Sequence, residues 1–220
     1  MKLWQRWRAA IFDLDGTLAD SMRIWDGVCR EWMEARGLTP PDGLEERIRL
    51  MTLEESARYI TGEFLPGLEP GCVLGEWNRL VADRYEASVL PKEGAVELVR
   101  RLRREGMAIG LATSSFPGVC ERFLDRFALT GLFSAIVYTD ETGRDKSHPD
   151  VYLACARRMG VPPGCCVVFE DIEEALEGVD AAGMEMVAVR DDSCKNWERL
   201  RERARWAVDS LALLLDGGDF

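Results

Sequence analysis

A chain of 220 residues that is 47% hydrophobic and 30% charged has the composition of one large or two modest soluble globular domains, not of a disordered segment. Its formal net charge of −11 argues against a nucleic-acid partner, because phosphate backbones demand a basic face. Seven scattered cysteines without a Cys-x-x-Cys pair, and a single histidine, His148, exclude a disulfide framework and histidine-rich zinc chemistry. No apolar run approaches the roughly 20 residues of a membrane span. Residues 1–8 lack the apolar centre of a signal peptide, so a cytoplasmic protein with reduced, mostly buried thiols and no membrane partner is expected.

The first element in the chain is Ala9-Ala10-Ile11-Phe12, a short apolar run that reads as a buried strand. It stops at Asp13-Leu14-Asp15-Gly16-Thr17, where glycine permits a sharp turn. Paired carboxylates at a strand's end are costly to bury without a partner, and a divalent cation is the obvious one. An ordinary exit from strand to turn is the plainer alternative. After Ala19-Asp20-Ser21 the pattern becomes helical, with Trp25, Val28, Cys29, Trp32 and Met33 at helical spacing and Gly37 ending the stripe. Asp42 with Glu45, and Thr52 with Glu55, are spaced as capping boxes opening two more helices. Beyond a Gly/Pro loop, Trp77, Leu80, Val81 and Tyr85 mark a fourth helix that ends before Pro91.

From Pro91 strands and helices alternate. A helix carries Val96, Val99 and Leu102; a strand over 107–112 runs into Thr113-Ser114-Ser115; Pro117 starts the next helix. A strand over 135–138 precedes a loop with Lys146, then a helix over 151–159. A strand over 165–169 ends at Glu170-Asp171. A helix leads to Gly183, and strands are predicted at 186–189 and 206–208, with the tail 216–220 expected to fray. This alternation predicts an α/β fold, a doubly wound, mostly parallel Rossmann-like sheet. The core is assigned to residues 1–19 and 89–220, and an inserted all-helical cap to 20–88. Ligands of such sheets bind beyond the carboxyl ends of the strands, where Asp13, Asp15, Thr113, Lys146, Glu170 and Asp171 would meet. Taken singly, Thr113 also reads as a plain strand end, Lys146 as a solvated loop residue, and Glu170-Asp171 as a helix cap.

Asp13-Leu14-Asp15-Gly16-Thr17 resembles the first motif of the haloacid dehalogenase-like superfamily. Ala112-Thr113-Ser114 is similar to its second, Lys146-Ser147-His148-Pro149-Asp150 to its third, and Phe169-Glu170-Asp171 with Ala181-Ala182-Gly183-Met184 to its fourth. The resemblance spans nearly the whole chain. It departs at Ser147, His148, Ile172 and Ala175, none of which is a reacting group. It implies a magnesium-dependent phosphatase acting on a small phosphorylated metabolite, with a sugar phosphate expected, in a monomer or weak homodimer. Asp13 would be the nucleophile, forming an aspartyl-phosphate, and Asp15 the general acid and base. Thr113, Ser114 and Lys146 would bind phosphate, and Asp13, the Asp15 carbonyl, Glu170 and Asp171 would hold Mg2+. Trp25, Thr52 and Trp77 in the cap are candidate substrate contacts, although the apolar stripes explain Trp25 and Trp77, and helix capping explains Thr52. A phosphomutase of the beta-phosphoglucomutase type is the alternative, but this chain carries Trp25 and Leu53 in the segments where that enzyme has a cap histidine and arginine.

Overall fold

The computed structural model describes residues 6–49 and 51–215; the expectations for residues 1–5 and for the tail 216–220 lie outside them. Six strands, β1 (Ala9–Phe12), β2 (Ala108–Thr113), β3 (Ala135–Tyr138), β4 (Cys166–Glu170), β5 (Glu185–Val189) and β6 (Trp206–Val208), form one sheet in the order β3-β2-β1-β4-β5-β6. Every pairing is parallel, with Phe12 opposite Leu111 on one side and Phe169 on the other. The sheet is therefore fully parallel where a mostly parallel one was predicted. Parallel strands covered on both faces need apolar residues at nearly every position, and β1 and β4 are buried throughout.

Side-chain alternation divides the core between the two faces. Ala10, Phe12, Val167 and Phe169 pack with α5 (Ala95–Arg104) and α6 (Pro117–Arg126), while Ala9, Ile11, Cys166 and Val168 face α8 (Asp150–Met159), α9 (Glu174–Ala181) and α10 (Trp197–Arg203). The rings of Phe12 and Phe169 stack at 4.5 Å, locking β1 to β4 where the strand order reverses. Two strands run one residue further than predicted, so Thr113 and Glu170 close β2 and β4. An unanticipated single turn, α7 (Thr139–Thr142), follows β3.

Between β1 and α5 the described residues are helical: α1 (Met22–Glu34), α2 (Leu44–Arg49), α3 (Leu53–Phe64) and α4 (Pro70–Ser88). The capping box at α3 forms as predicted, Thr52 Oγ1 accepting from the Glu55 N–H at 3.2 Å and Glu55 Oε2 from the Thr52 N–H at 2.9 Å. The predicted box of Asp42 and Glu45 does not form. Helix α2 starts at Leu44, and Glu45 instead takes two donors from Arg30, at 2.8 and 3.0 Å. A guanidinium fork is a stronger partner for a carboxylate than one main-chain N–H.

The chain leaves for these helices and returns through one pair of adjacent segments. Ala19 bridges Pro91, the Asp20 N–H donates to the Leu90 carbonyl at 2.9 Å, and the Lys92 N–H to that of Leu18 at 2.9 Å. Helix α4 rests on α6, Tyr85 meeting Phe123 edge-on at 5.9 Å, so a single apolar cluster runs from the sheet into the helical insert. Among the described residues no helix is long and apolar enough to cross a membrane.

Candidate active site

Asp13 follows β1 directly, and its N–H donates to the Phe169 carbonyl at 3.0 Å, which fixes it beside the end of β4. The Lys146 ammonium lies between two carboxylates, bonded to Asp13 Oδ1 and 2.6 Å from Glu170 Oε1. The Tyr152 hydroxyl donates to the same Glu170 oxygen at 3.1 Å, and Thr17 Oγ1 donates to Asp171 Oδ1 at 3.2 Å. Carboxylate oxygens of Asp13, Glu170 and Asp171 lie within 4.8 Å of one another, all three residues buried. Glu170 Oε2 and Asp171 Oδ2 are buried and have no hydrogen-bond partner among the described residues. Three carboxylates against one ammonium leave two negative charges and two orphaned oxygens, which fits a hard divalent cation with oxygen ligands.

Electrostatics tell the same story. Burial pushes the Asp13 carboxyl well above the usual carboxylate range; Lys146 opposes this, and Glu170, Asp171 and Asp15 add to it. Burial, then the Glu170 charge, pushes Asp171 up to about 8. Burial works against the charge of Lys146, but Asp13 and Glu170 together outweigh it and hold the ammonium above its ordinary range. Two glycines make the close packing possible. Gly16 has φ +87°, and a Cβ there would lie 2.3 Å from Asp171 Oδ2. A Cβ on Gly178 of α9 would lie 2.2 Å from the Lys146 carbonyl oxygen, so this glycine admits the lysine loop.

The Asp15 side chain stands apart from the three-carboxylate cluster. Its Oδ1 accepts hydrogen bonds from Ser21 Oγ at 2.6 Å, Trp25 Nε1 at 2.7 Å and the Tyr85 hydroxyl at 2.8 Å. Burial and the Asp15 charge hold the Tyr85 phenol well above its ordinary range, so it stays a donor. Ser21 precedes α1 without capping it, because its hydroxyl is given to Asp15.

A cavity of about 190 Å³ opens over this cluster, and Asp13, Asp15, Ser114, Lys146 and Asp171 form its polar end. Thr113 is fully buried, its Oγ1 accepting the Ser115 N–H at 3.1 Å, and Ser114 is the residue of that strand end that reaches the cavity. Trp25 lines the cavity and stacks against Phe116 at 6.0 Å. Trp77 lines it from α4, edge-on to Trp32 at 6.0 Å. Thr52 is buried in its cap and does not reach the cavity. His148 is half-buried beside Ser147 and Asp145.

Sequence reasoning missed Ser21, Tyr85, Tyr152 and Lys92. The Lys92 ammonium donates to the carbonyls of Gly16 at 2.7 Å and Arg190 at 2.6 Å and to Asp191 Oδ2 at 2.8 Å, so it braces the turn after Asp15. None of the four stood out in the sequence: Tyr85 reads as one more position on the apolar stripe of its helix.

Comparison with known proteins agrees with this architecture. Residues 7–183 match the haloacid dehalogenase-like hydrolase family. The fructose-1-phosphate phosphatase YqaB of Escherichia coli (strain K12) is 32% identical over 195 residues, which cover 86% of this chain and 99% of that one. Hexitol phosphatase B of the same organism is 31% identical over 194 residues, covering 86% of each chain. The structure of CbbY from Rhodobacter sphaeroides in complex with phosphate superposes with a TM-score of 0.82 at 21% identity, covering 97% of this chain and 100% of the other.

Proposed function

This chain belongs to the haloacid dehalogenase-like hydrolases, and from that premise we propose that it is a magnesium-dependent phosphatase acting on the phosphate monoester of a small metabolite through a phosphorylated Asp13. The observation that carries the proposal is the buried group of Asp13, Lys146, Glu170 and Asp171, with two carboxylate oxygens left without partners. The names of the relatives, a fructose-1-phosphate phosphatase and a hexitol phosphatase, support a small phosphorylated substrate and are the ground for expecting a sugar phosphate. Residues 20–88 act as a cap over the crevice, and residues 1–19 with 89–220 as the catalytic core.

Asp13, Glu170 and Asp171, with the main-chain carbonyl of Asp15, would hold magnesium, which supplies charge neutralisation at the phosphate oxygens. Lys146, the Ser114 hydroxyl and main-chain donors following Thr113 hold the phosphoryl group in line with Asp13, with Thr113 buried behind them. An Asp13 carboxylate oxygen forms the new bond to phosphorus as the bond from phosphorus to the alcohol oxygen breaks. Asp15 gives its proton to the leaving alkoxide, then takes one from the water that attacks the phosphorylated Asp13 and releases phosphate. With three donors converging on Oδ1, the proton travels on Oδ2.

The test is release of inorganic phosphate from a panel of phosphate monoesters with magnesium, together with trapping of label on Asp13 from a labelled ester. Free phosphate and labelled Asp13 are expected. An isomerised ester with no free phosphate would replace hydrolysis by intramolecular transfer, and turnover without labelling of Asp13 would overturn the nucleophile.

A further inference from the structure

We infer that the alcohol released by this enzyme has an apolar or aromatic body with few hydroxyl groups, in place of the polyhydroxylated sugar that the sequence led one to expect. The inference rests on the phosphatase assignment and concerns the far end of the same cavity. Away from Asp13 and Lys146 the wall is built from Met22, Val28, Ile48, Met51, Leu53 and Ile172, with Trp25 and Trp77 beside them.

The polar groups on that wall are already committed. Both oxygens of Glu45 are taken by Arg30, and Ser56 Oγ donates to the Ile48 carbonyl at 3.3 Å. The Trp25 N–H is given to Asp15. Arg49 adds a guanidinium that is itself engaged. The indole N–H of Trp77 is buried and is not presented to the cavity.

A hexitol or ketose phosphate brings several hydroxyls, each of which loses water on entering a wall whose few polar groups, Glu45, Arg49 and Ser56, already have partners in the protein. A hydrocarbon ring gains by leaving water for the same surface. Pockets that hydrogen-bond their substrates reject analogues lacking the partner group strongly, but an apolar pocket discriminates mainly by the surface it covers.

The experiment compares kcat/KM for 2-phenylethyl phosphate and sorbitol 6-phosphate, both esters of primary alcohols and so similar in intrinsic reactivity, with acetyl phosphate as a substrate that does not reach the wall. The phenylethyl ester is expected to be favoured by at least about tenfold. In Leu53→Asn, which places an amide on the wall, the ratio is expected to move about tenfold towards the hexitol ester. Equal or better turnover of sorbitol 6-phosphate by the unaltered enzyme would overturn the inference while leaving the phosphatase assignment in place. No phosphate from any of the three, acetyl phosphate included, would overturn both.

Discussion

Lys146 is bonded to two carboxylates while a third stands near them, so at the scale of single residues the site is arranged for charge and against stability. Asp13→Asn keeps the shape, leaves Lys146 its bond to Glu170 and removes one of the competing charges. Turnover is expected to fall by about 10⁴-fold or more. The thermal midpoint of the metal-free variant is expected to stay level or rise, measured by calorimetry with chelator present. A variant with near-normal turnover would refute the assignment of Asp13.

The raised carboxyl groups make a second prediction. Below about 8, Asp171 in the metal-free protein keeps its proton, whereas the unfolded chain ionises near 3.8. The folded state thus binds more protons than the unfolded one across that window, and metal-free stability falls as pH rises through it. A divalent cation must displace the proton it replaces. Titration with magnesium chloride at pH 7 in weak buffer should release protons, and apparent affinity should strengthen as pH approaches about 8. Binding without proton release would contradict this account. Asp13, Lys146 and Asp171 were legible in the sequence because each lies at or near a strand end in a recognisable run. Tyr85 was not, because its phenol reads as one more apolar position until the fold brings it within 2.8 Å of Asp15.

At the scale of elements, helix α9 has two small residues towards the core, and only one of them controls the site. Ala175 is the position noted as a departure from the family, yet it is plain core; Gly178 touches the lysine loop. Gly178→Ala would place a Cβ 2.2 Å from the Lys146 carbonyl oxygen. The loop has to shift, at a cost of about 1–3 kcal/mol. Denaturant unfolding should show that loss, and kcat should fall more than stability alone explains because Lys146 moves. Wild-type kcat in the variant would show that the loop relaxes without disturbing its lysine. Helix periodicity was visible throughout because burial imposes it. What periodicity could not show is which charged partner wins. Glu45 left its predicted cap for Arg30. Arg199 and Arg203, on the exposed side of α10, both reach Glu173, at 2.8 and 2.7 Å, where that acid is nearly buried.

At the scale of the whole molecule, the helical insert both covers the cavity and is anchored to the sheet half. Helix α4 is held on α6 by Tyr85 against Phe123 and by Arg126, which donates to the carbonyls of Glu86 and Val89, each at 3.1 Å. Helices α2 and α3, which carry Ile48 and Leu53 to the cavity wall, meet the sheet half through exposed polar contacts, Glu46 with Lys195 and the Glu54 N–H with Asp140 Oδ1 at 3.3 Å. Opening for substrate and closing against water should therefore involve α2 and α3 more than the end of α4. Hydrogen exchange with magnesium and a phosphate mimic bound should show protection gained in residues 44–64 and little change at 84–89. Unchanged protection in both, with binding demonstrated, would make the insert a fixed roof. The alternating, parallel architecture was legible because three of the motifs follow β1, β2 and β4 directly and the lysine run lies beyond β3; the anchor was not, since no local pattern pairs α4 with α6.

The paired crossing at Ala19 and Pro91, with Lys92 bracing the turn beside it, has a consequence for descent. Because the chain departs and returns through neighbouring hydrogen-bonded residues, lengthening, shortening or replacing what lies between leaves Asp13, Thr113, Lys146 and Asp171 where they are. Lineages can trade the insert, and with it their diet of substrates, while inheriting the chemistry intact. Asp15 is the exception, since its three donors belong to Ser21, Trp25 and Tyr85. Any graft that changes the menu must bring its own means of holding that one acid.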